Sequence, residues 1–306
     1  MHSIEIPEAA LKLFIPENLA ECERDQYLDM CALLYQVATG SISFEQMKVQ
    51  AVYRLLNIVP GRKHDDTFDD MDEHQKWDNV TQLSILVDSF FTDDNGQKVI
   101  RQDYTHNPVP KIRPLLKNYF GPADSFTNVT FGEYNDGLRL FLEYSTTGEY
   151  EKLYLLAAIF YRPKKKWLWL ERKKVDYNGD VREQYNANSI ASRAAKIKQY
   201  HPGFAYGFYL LFASFQKCLT QAVIPWGNRE LDLSILFDAD AAGESDDEAV
   251  PGIGMDSLAY AIAESGEFGT IEDVRNTNLW EVLIRLYDLK KKDLDYKQNE
   301  KDNAIN

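Results

Sequence analysis

The segment "EKLYLLAAIFYRP", residues 151–163, constrains the fold more than any other stretch of the chain. As a helix it is apolar on nearly every face, and such a helix is stable only where neighbours cover it all round. It therefore predicts the centre of a helical bundle. Pro163 ends the helix, because its ring cannot continue the backbone ladder, and leaves Arg162 near the negative end of the helix dipole.

Helices that could cover this centre lie on both sides of it. In "NVTFGEYNDGLRLFLEY", Thr130 and Glu133 have capping-box spacing, and Phe131, Tyr134, Leu138 and Phe141 form one stripe. In "IASRAAKIKQYHPGFAYGFYLLFASFQKCL" the pattern is helical on both sides of His201-Pro202-Gly203. Further upstream, an extended, proline-marked entry leads into two helical patterns. Tyr27, Cys31, Leu34 and Val37 share one face, as do Phe44, Met47, Ala51, Leu55 and Ile58. Ser43 and Gln46 form a second capping box, and Gly40 joins the two helices into an antiparallel pair.

Small β elements interrupt the helices. Asn95-Gly96 has the composition of a type I′ turn between "LVDSFFT" and "KVIRQDYT", so Asp93 and Asp94 are turn residues before they are a catalytic or metal pair. "KKWLWLERKKVDYNGDVREQY" reads as a short hairpin with Asn178-Gly179 at a turn, its two tryptophans sharing one inward face. The fold class expected is mainly α: a helical bundle with small β-hairpin insertions (α+β) and a short C-terminal helical unit. Five segments follow from these patterns: an N-terminal helical segment (1–62), an acidic loop plus hairpin region (63–125), a central helical domain (126–225), an acidic linker (226–255) and a C-terminal helical unit with a frayed tail (256–306). In the last, Leu279, Val282, Leu286 and Leu289 keep helical register.

Composition narrows the function. The 34 Lys and Arg are outnumbered by 48 Asp and Glu, a net charge of −14, and that field repels phosphates and anionic membranes. Three cysteines, Cys22, Cys31 and Cys218, without a C-x-x-C pair argue against a disulfide framework or a zinc knuckle and fit a reducing compartment. The start of the chain does not resemble a secretory signal. "FAYGFYLLFASFQKCLTQAVI" is long enough to span a bilayer but carries Gln216, Lys217 and Gln221, so it reads as a buried or amphipathic helix.

No recognisable nucleophile with its base, phosphate-binding glycine loop or metal-ligand spacing appears, so no catalytic residue, metal or cofactor is expected. The acidic run "HDDTFDDMDEHQKWD", with His64 and His74, lacks metal-site spacing and reads as a solvated connector. Acids crowded into such runs stay hydrated, whereas acid–base catalysis needs a desolvated carboxyl. One patch does invite a binding reading: Arg162, Lys164, Lys165, Lys166, Arg172, Lys173 and Lys174 surround Trp167 and Trp169. Phosphate contacts with base stacking, an acidic partner helix, the chain's own acidic linker, or a solubilising hairpin edge would each use these residues.

The order of parts resembles a family. "IPENLAECERDQYLDMCALL" and "VTFGEYNDGLRLFLEY…LYLLAAIFYRP", followed by an acidic linker and "SLAYAIAESGEFGTIEDVRNTNLWEVLIRLYDLKKK", are similar to the tail assembly chaperones and tail-associated structural proteins of tailed bacteriophages. The resemblance covers the chain in patches; the chain is long for such a chaperone, and the hairpin at Asn95 has no counterpart. It implies a non-enzymatic protein that coats the tape-measure protein until tail-tube subunits displace it, in the cytoplasm of the infected host cell or in the virion, with self-association possible. It also implies that Trp280, Leu283 and Tyr287 of the C-terminal unit contact a partner, or else complete that unit's own core. A virion structural protein, such as a connector or tail-completion component, would carry the same helical block.

Overall fold

The computed structural model describes residues 1–6, 11–58, 70–174, 177, 179–221, 223–226, 229–237, 262–263 and 268–305. The chain is mainly helical with small two-stranded antiparallel sheets, the class that the patterns imply. It divides into two compact units, residues 1–103 with 198–210, and residues 104–197 with 211–306.

The first unit opens on a hairpin of β1 (His2–Ile6) and β2 (Leu11–Ile15), followed by α1 (Arg24–Ala38) and α2 (Phe44–Leu55). Tyr27, Cys31 and Leu34 of α1 and Met47, Ala51 and Leu55 of α2 are buried, while Ile58 lies past the end of α2 and is exposed. The Ser43–Gln46 box closes in both directions, so each side chain satisfies a backbone donor that the first helical turn leaves unpaired. Gly40, at φ +70, makes the turn between the two helices. The acidic run expected as a connector is helical from Asp70 onward, in α3 (Asp70–Leu86); His64 lies outside the described residues. β3 (Phe91–Asp94) and β4 (Gln97–Ile100) pair around Asn95 (φ +53) and Gly96 (φ +82), the left-handed pair that a type I′ turn requires. The opening turns of the helix Phe204–Thr220 also belong to this unit. There Gly203 and Gly207 let α1 come close, and the Tyr27 hydroxyl donates to the Gly207 carbonyl at 2.7 Å.

The second unit surrounds the apolar helix. β5 (Lys111–Ile112) pairs with β6 (Tyr119–Phe120), ahead of α4 (Phe131–Thr147) and α5 (Tyr150–Phe160). Leu153, Leu156 and every residue from Ala157 to Tyr161 are buried. Next come the short α6 (Leu168–Glu171), α7 (Ile190–Ile197) and α8 (Phe204–Thr220), whose later turns supply Phe212 and Phe215. Phe126 stacks on Phe215 at 4.3 Å between ring centroids and meets Phe160 and Phe212 edge-on. Aromatic side chains thus do much of the sealing around α5.

Past α8, β7 (Val223–Trp226) and β8 (Arg229–Asp232) form a hairpin, and a 3-10 turn at Leu233–Leu236 buries Leu233. The first part of the expected linker is therefore ordered; residues 238–255 lie outside the described residues. α9 (Ile271–Asn276) and α10 (Leu279–Ile305) complete the unit. The tail expected to fray is helical to Ile305. Ion pairs Lys292–Asp288, Lys291–Asp295 and Lys297–Asp293, each four residues apart, support a stretch that has little apolar surface to bury.

Candidate docking loop

The cationic stretch begins where α5 ends. Phe120 and Arg162 exchange both backbone hydrogen bonds, at 2.8 and 3.0 Å. On the other edge the Lys165 amide donates to the Val181 carbonyl at 2.9 Å, and the Glu183 amide to that of Pro163 at 2.8 Å. Residues 162–165 are therefore the middle of a small antiparallel ladder, which the chain leaves after Lys165 and rejoins at Val181.

A buried ionic cluster holds the base of this loop. The Arg162 guanidinium lies 2.7 Å from the Glu133 carboxylate and 3.4 Å from Asp180. Arg182 clamps Asp180 through Nε at 2.8 Å and Nη2 at 3.0 Å, approaches Glu133 at 3.3 Å, and donates to the carbonyls of Phe160 and Asn128. Two cations thus face two carboxylates, and the Phe160 and Asn128 carbonyls take up further donors of Arg182, while Arg162 Nε makes no hydrogen bond. Burial pushes the Arg162 pKa down, with Glu133 opposing it; for Arg182 burial is outweighed by Glu133 and Asp180, and its pKa is raised. Arg193 is also buried; it donates to the Ala158 carbonyl, and burial followed by the nearby Arg162 lowers its pKa.

Arg162 is accordingly not part of any surface patch, which corrects the sequence reading. Its charge sits 1% exposed because α5 ends against α4, where Glu133 points inward. The same geometry alters the expected Thr130 to Glu133 capping box. Thr130 accepts from the Glu133 amide at 3.3 Å, but the Glu133 carboxylate turns to the arginines and the box is half formed.

The rest of the patch is exposed. Trp167 and Trp169 are 69% and 58% accessible and Leu170 46%, while Leu168 alone of the four turns inward and is buried. The inward-facing strand expected for the tryptophans does not form. Trp167 takes a left-handed conformation (φ 60, ψ 31) and the next four residues coil into α6, which rotates both indoles outward. Lys165, Lys166, Lys174, Glu171, Glu183 and Gln184 line an open cleft of about 490 Å³ beside them. Lys173 sits over the Trp169 ring at 5.4 Å and Lys165 over that of Tyr177 at 5.6 Å. Asn178 lies outside the described residues; Gly179 has φ +83, as a turn there requires.

The C-terminal candidates are placed differently. Leu283 is 1% exposed, and Trp280 is half-buried, its indole donating to the Ser125 carbonyl at 3.0 Å and meeting Phe215 edge-on. Both serve the chain's own core, and Tyr287 is half-buried. No group of metal ligands and no helix long and apolar enough to cross a membrane occurs among the described residues. Sequence reasoning missed Glu133, Asp180 and Arg182. The one signal was an acid at position 133, between Phe131 and Tyr134 in a helix whose stripe had to be buried. No protein family, curated protein or solved structure matches the chain.

Proposed function

We propose that this chain works by binding and not by chemistry, as a tail assembly chaperone that holds a long helical tape-measure protein. One observation carries the binding reading: Trp167 and Trp169 stand out in water on a loop whose base is fixed by buried ion pairs. Exposing two indoles forgoes the roughly 1.5–3 kcal/mol that burial of a large apolar side chain supplies, and a rigid base keeps them from folding back. Such an arrangement suits a contact surface. The phage assignment rests on the resemblance of "VTFGEYNDGLRLFLEY…LYLLAAIFYRP", the stretch that builds α4 and α5.

The test is co-expression with the tape-measure protein, comparing the native chain with the Trp167→Ala/Trp169→Ala variant. Truncating the C-terminal helices would be a poor test, because Leu279, Val282 and Leu283 are core residues. Soluble co-purification that the double substitution abolishes is the expected result. Failure of the native chain to hold its partner in solution would remove the chaperone reading.

A further inference from the structure

Six non-glycine residues among those described have positive φ. Asn57 and Asn95 are asparagines, which tolerate that conformation. Ser125 and Phe126 are held in it by burial of the Phe126 ring and by hydrogen bonds from the Trp280 indole and to the Thr105 carbonyl. Leu115 (φ 56) and Trp167 (φ 60) are different: each is a bulky apolar residue held left-handed with its side chain in solvent, Leu115 being 62% exposed. Backbone strain without compensating burial in the isolated molecule marks a place shaped for something else.

The two positions leave the same end of one ladder. Leu115 and Leu116, the latter 85% exposed, form the tip between β5 and β6. β6 pairs antiparallel with Arg162, so the residues before Tyr119 and those after Pro163 leave the same end of the ladder. The antiparallel pairing of Lys164 with Arg182 sends the chain after Lys165 out of that end as well. Two neighbouring loop tips thus present Leu115, Leu116, Trp167, Trp169 and Leu170. The stretches 111–118 and 164–174 that carry them hold nine cationic residues and one acid, Glu171, and Glu183 joins Glu171 in the cleft beside the tryptophans.

We infer that these two tips together form a docking surface for an acidic protein segment with an apolar face, most simply a helix with leucines on one side and carboxylates beside them. This inference takes from the proposed function only that the partner is a protein. Charge complementarity selects an acidic ligand. Three of the five exposed apolar side chains are leucines, which cannot stack on bases, and one face of Trp169 is already covered by Lys173, so a nucleic-acid strand fits the surface poorly. An anionic bilayer would present its charge as a continuous plane to a molecule of net charge −14, whereas a partner segment meets only the tips. Tryptophan and arginine, both present here, are among the residue types enriched at protein-binding hot spots.

The full-length chain is titrated, by fluorescence anisotropy, with a labelled amphipathic helical peptide carrying leucine on one face and glutamate on the other. The expected result is saturable binding that weakens as salt rises, and that Leu116→Asp and Trp169→Ala each reduce by about tenfold or more. Leu142→Asp, at an exposed leucine of α4, serves as the control and leaves binding unchanged. Absence of binding, binding indifferent to Leu116→Asp, or equal binding of a lysine-for-glutamate peptide overturns the two-tip surface. So does tryptophan-dependent binding of oligo-thymidylate or phosphatidylserine-containing vesicles in place of the acidic peptide. Peptide binding with failed co-purification would leave this surface standing and remove the tail-assembly reading; co-purification without peptide binding would do the reverse.

Discussion

Glu133 and Arg162 meet at 2.7 Å in the interior of the second unit, each about 1% exposed, and so join the start of α4 to the end of α5. The pair is an internal brace for the loop that follows, since Asp180 and Arg182 at the loop's far end belong to the same cluster.

Glu133→Gln is expected to destabilise the second unit by about 3–5 kcal/mol, because it leaves two buried guanidinium groups facing only Asp180. Adding Arg162→Met restores the balance of charge and should recover a large part of that loss. Urea denaturation followed by far-UV circular dichroism checks both; a double variant no more stable than Glu133→Gln would show that the pair is not the source of the effect.

Gly203 is where α1 comes closest to the start of α8. A Cβ there would stand 2.0 Å from the Leu28 carbonyl oxygen and 2.6 Å from the Ala32 amide, both backbone atoms that cannot swing away. Gly203→Ala should therefore cost more than the ~1–3 kcal/mol typical of overpacking. Gly207→Ala meets the Tyr27 ring at 2.9 Å and should cost less. Thermal melts of the two variants would reveal the order, and equal losses would contradict the close approach at Gly203.

Trp167 and Phe126 share a left-handed backbone but differ in burial, 69% exposed against 0%. Phe126→Gly should lose about 3–5 kcal/mol, as truncation of a buried aromatic does. Trp167→Gly should change stability by no more than ~1 kcal/mol, because relief of strain offsets the flexibility of glycine. A large loss on Trp167→Gly would mean that the indole supports the fold.

Stability should fall in alkali. Burial pushes Tyr134 from its ordinary 10.0 up to about 12, with the Gln216 hydrogen bond opposing, and burial pushes the Cys22 thiol from 9.0 up to about 12. A raised folded pKa means that the fold favours the protonated form. The contribution is complete below the unfolded value and is lost as pH climbs toward the folded one. The urea midpoint should hold steady up to about pH 9 and decline from there toward about pH 12, with Tyr134 accounting for ~2–3 kcal/mol of its unit's loss. Tyr134→Phe should flatten the decline in the second unit; an unchanged slope would refute the assignment.

Much of this architecture was legible in the chain because it is encoded over short distances. The Ser43–Gln46 box, the Asn95-Gly96 turn, the stop at Pro163 and the all-round apolarity of α5 each depend on residues within about one helix length of one another. The tail of α10 was misjudged because polar composition resembles disorder until its charges are paired at four-residue spacing. The strand pattern of "KWLWLE" misled for a related reason. Alternation says which residues share a face of a strand, but the ladder at 163–165 and 181–183 decides where the strand ends and which side chain turns in.

What the sequence by itself determined was the class of fold, the centre of the bundle and the caps and turns that punctuate it. Only the tertiary structure decided that Arg162 is buried, that the two indoles face water, and that Leu115 and Trp167 rise from one end of one ladder. These relations join residues about 30 to 50 positions apart, and a side chain's pairing or exposure depends on which distant segment packs beside it, a matter that no local pattern of residues encodes.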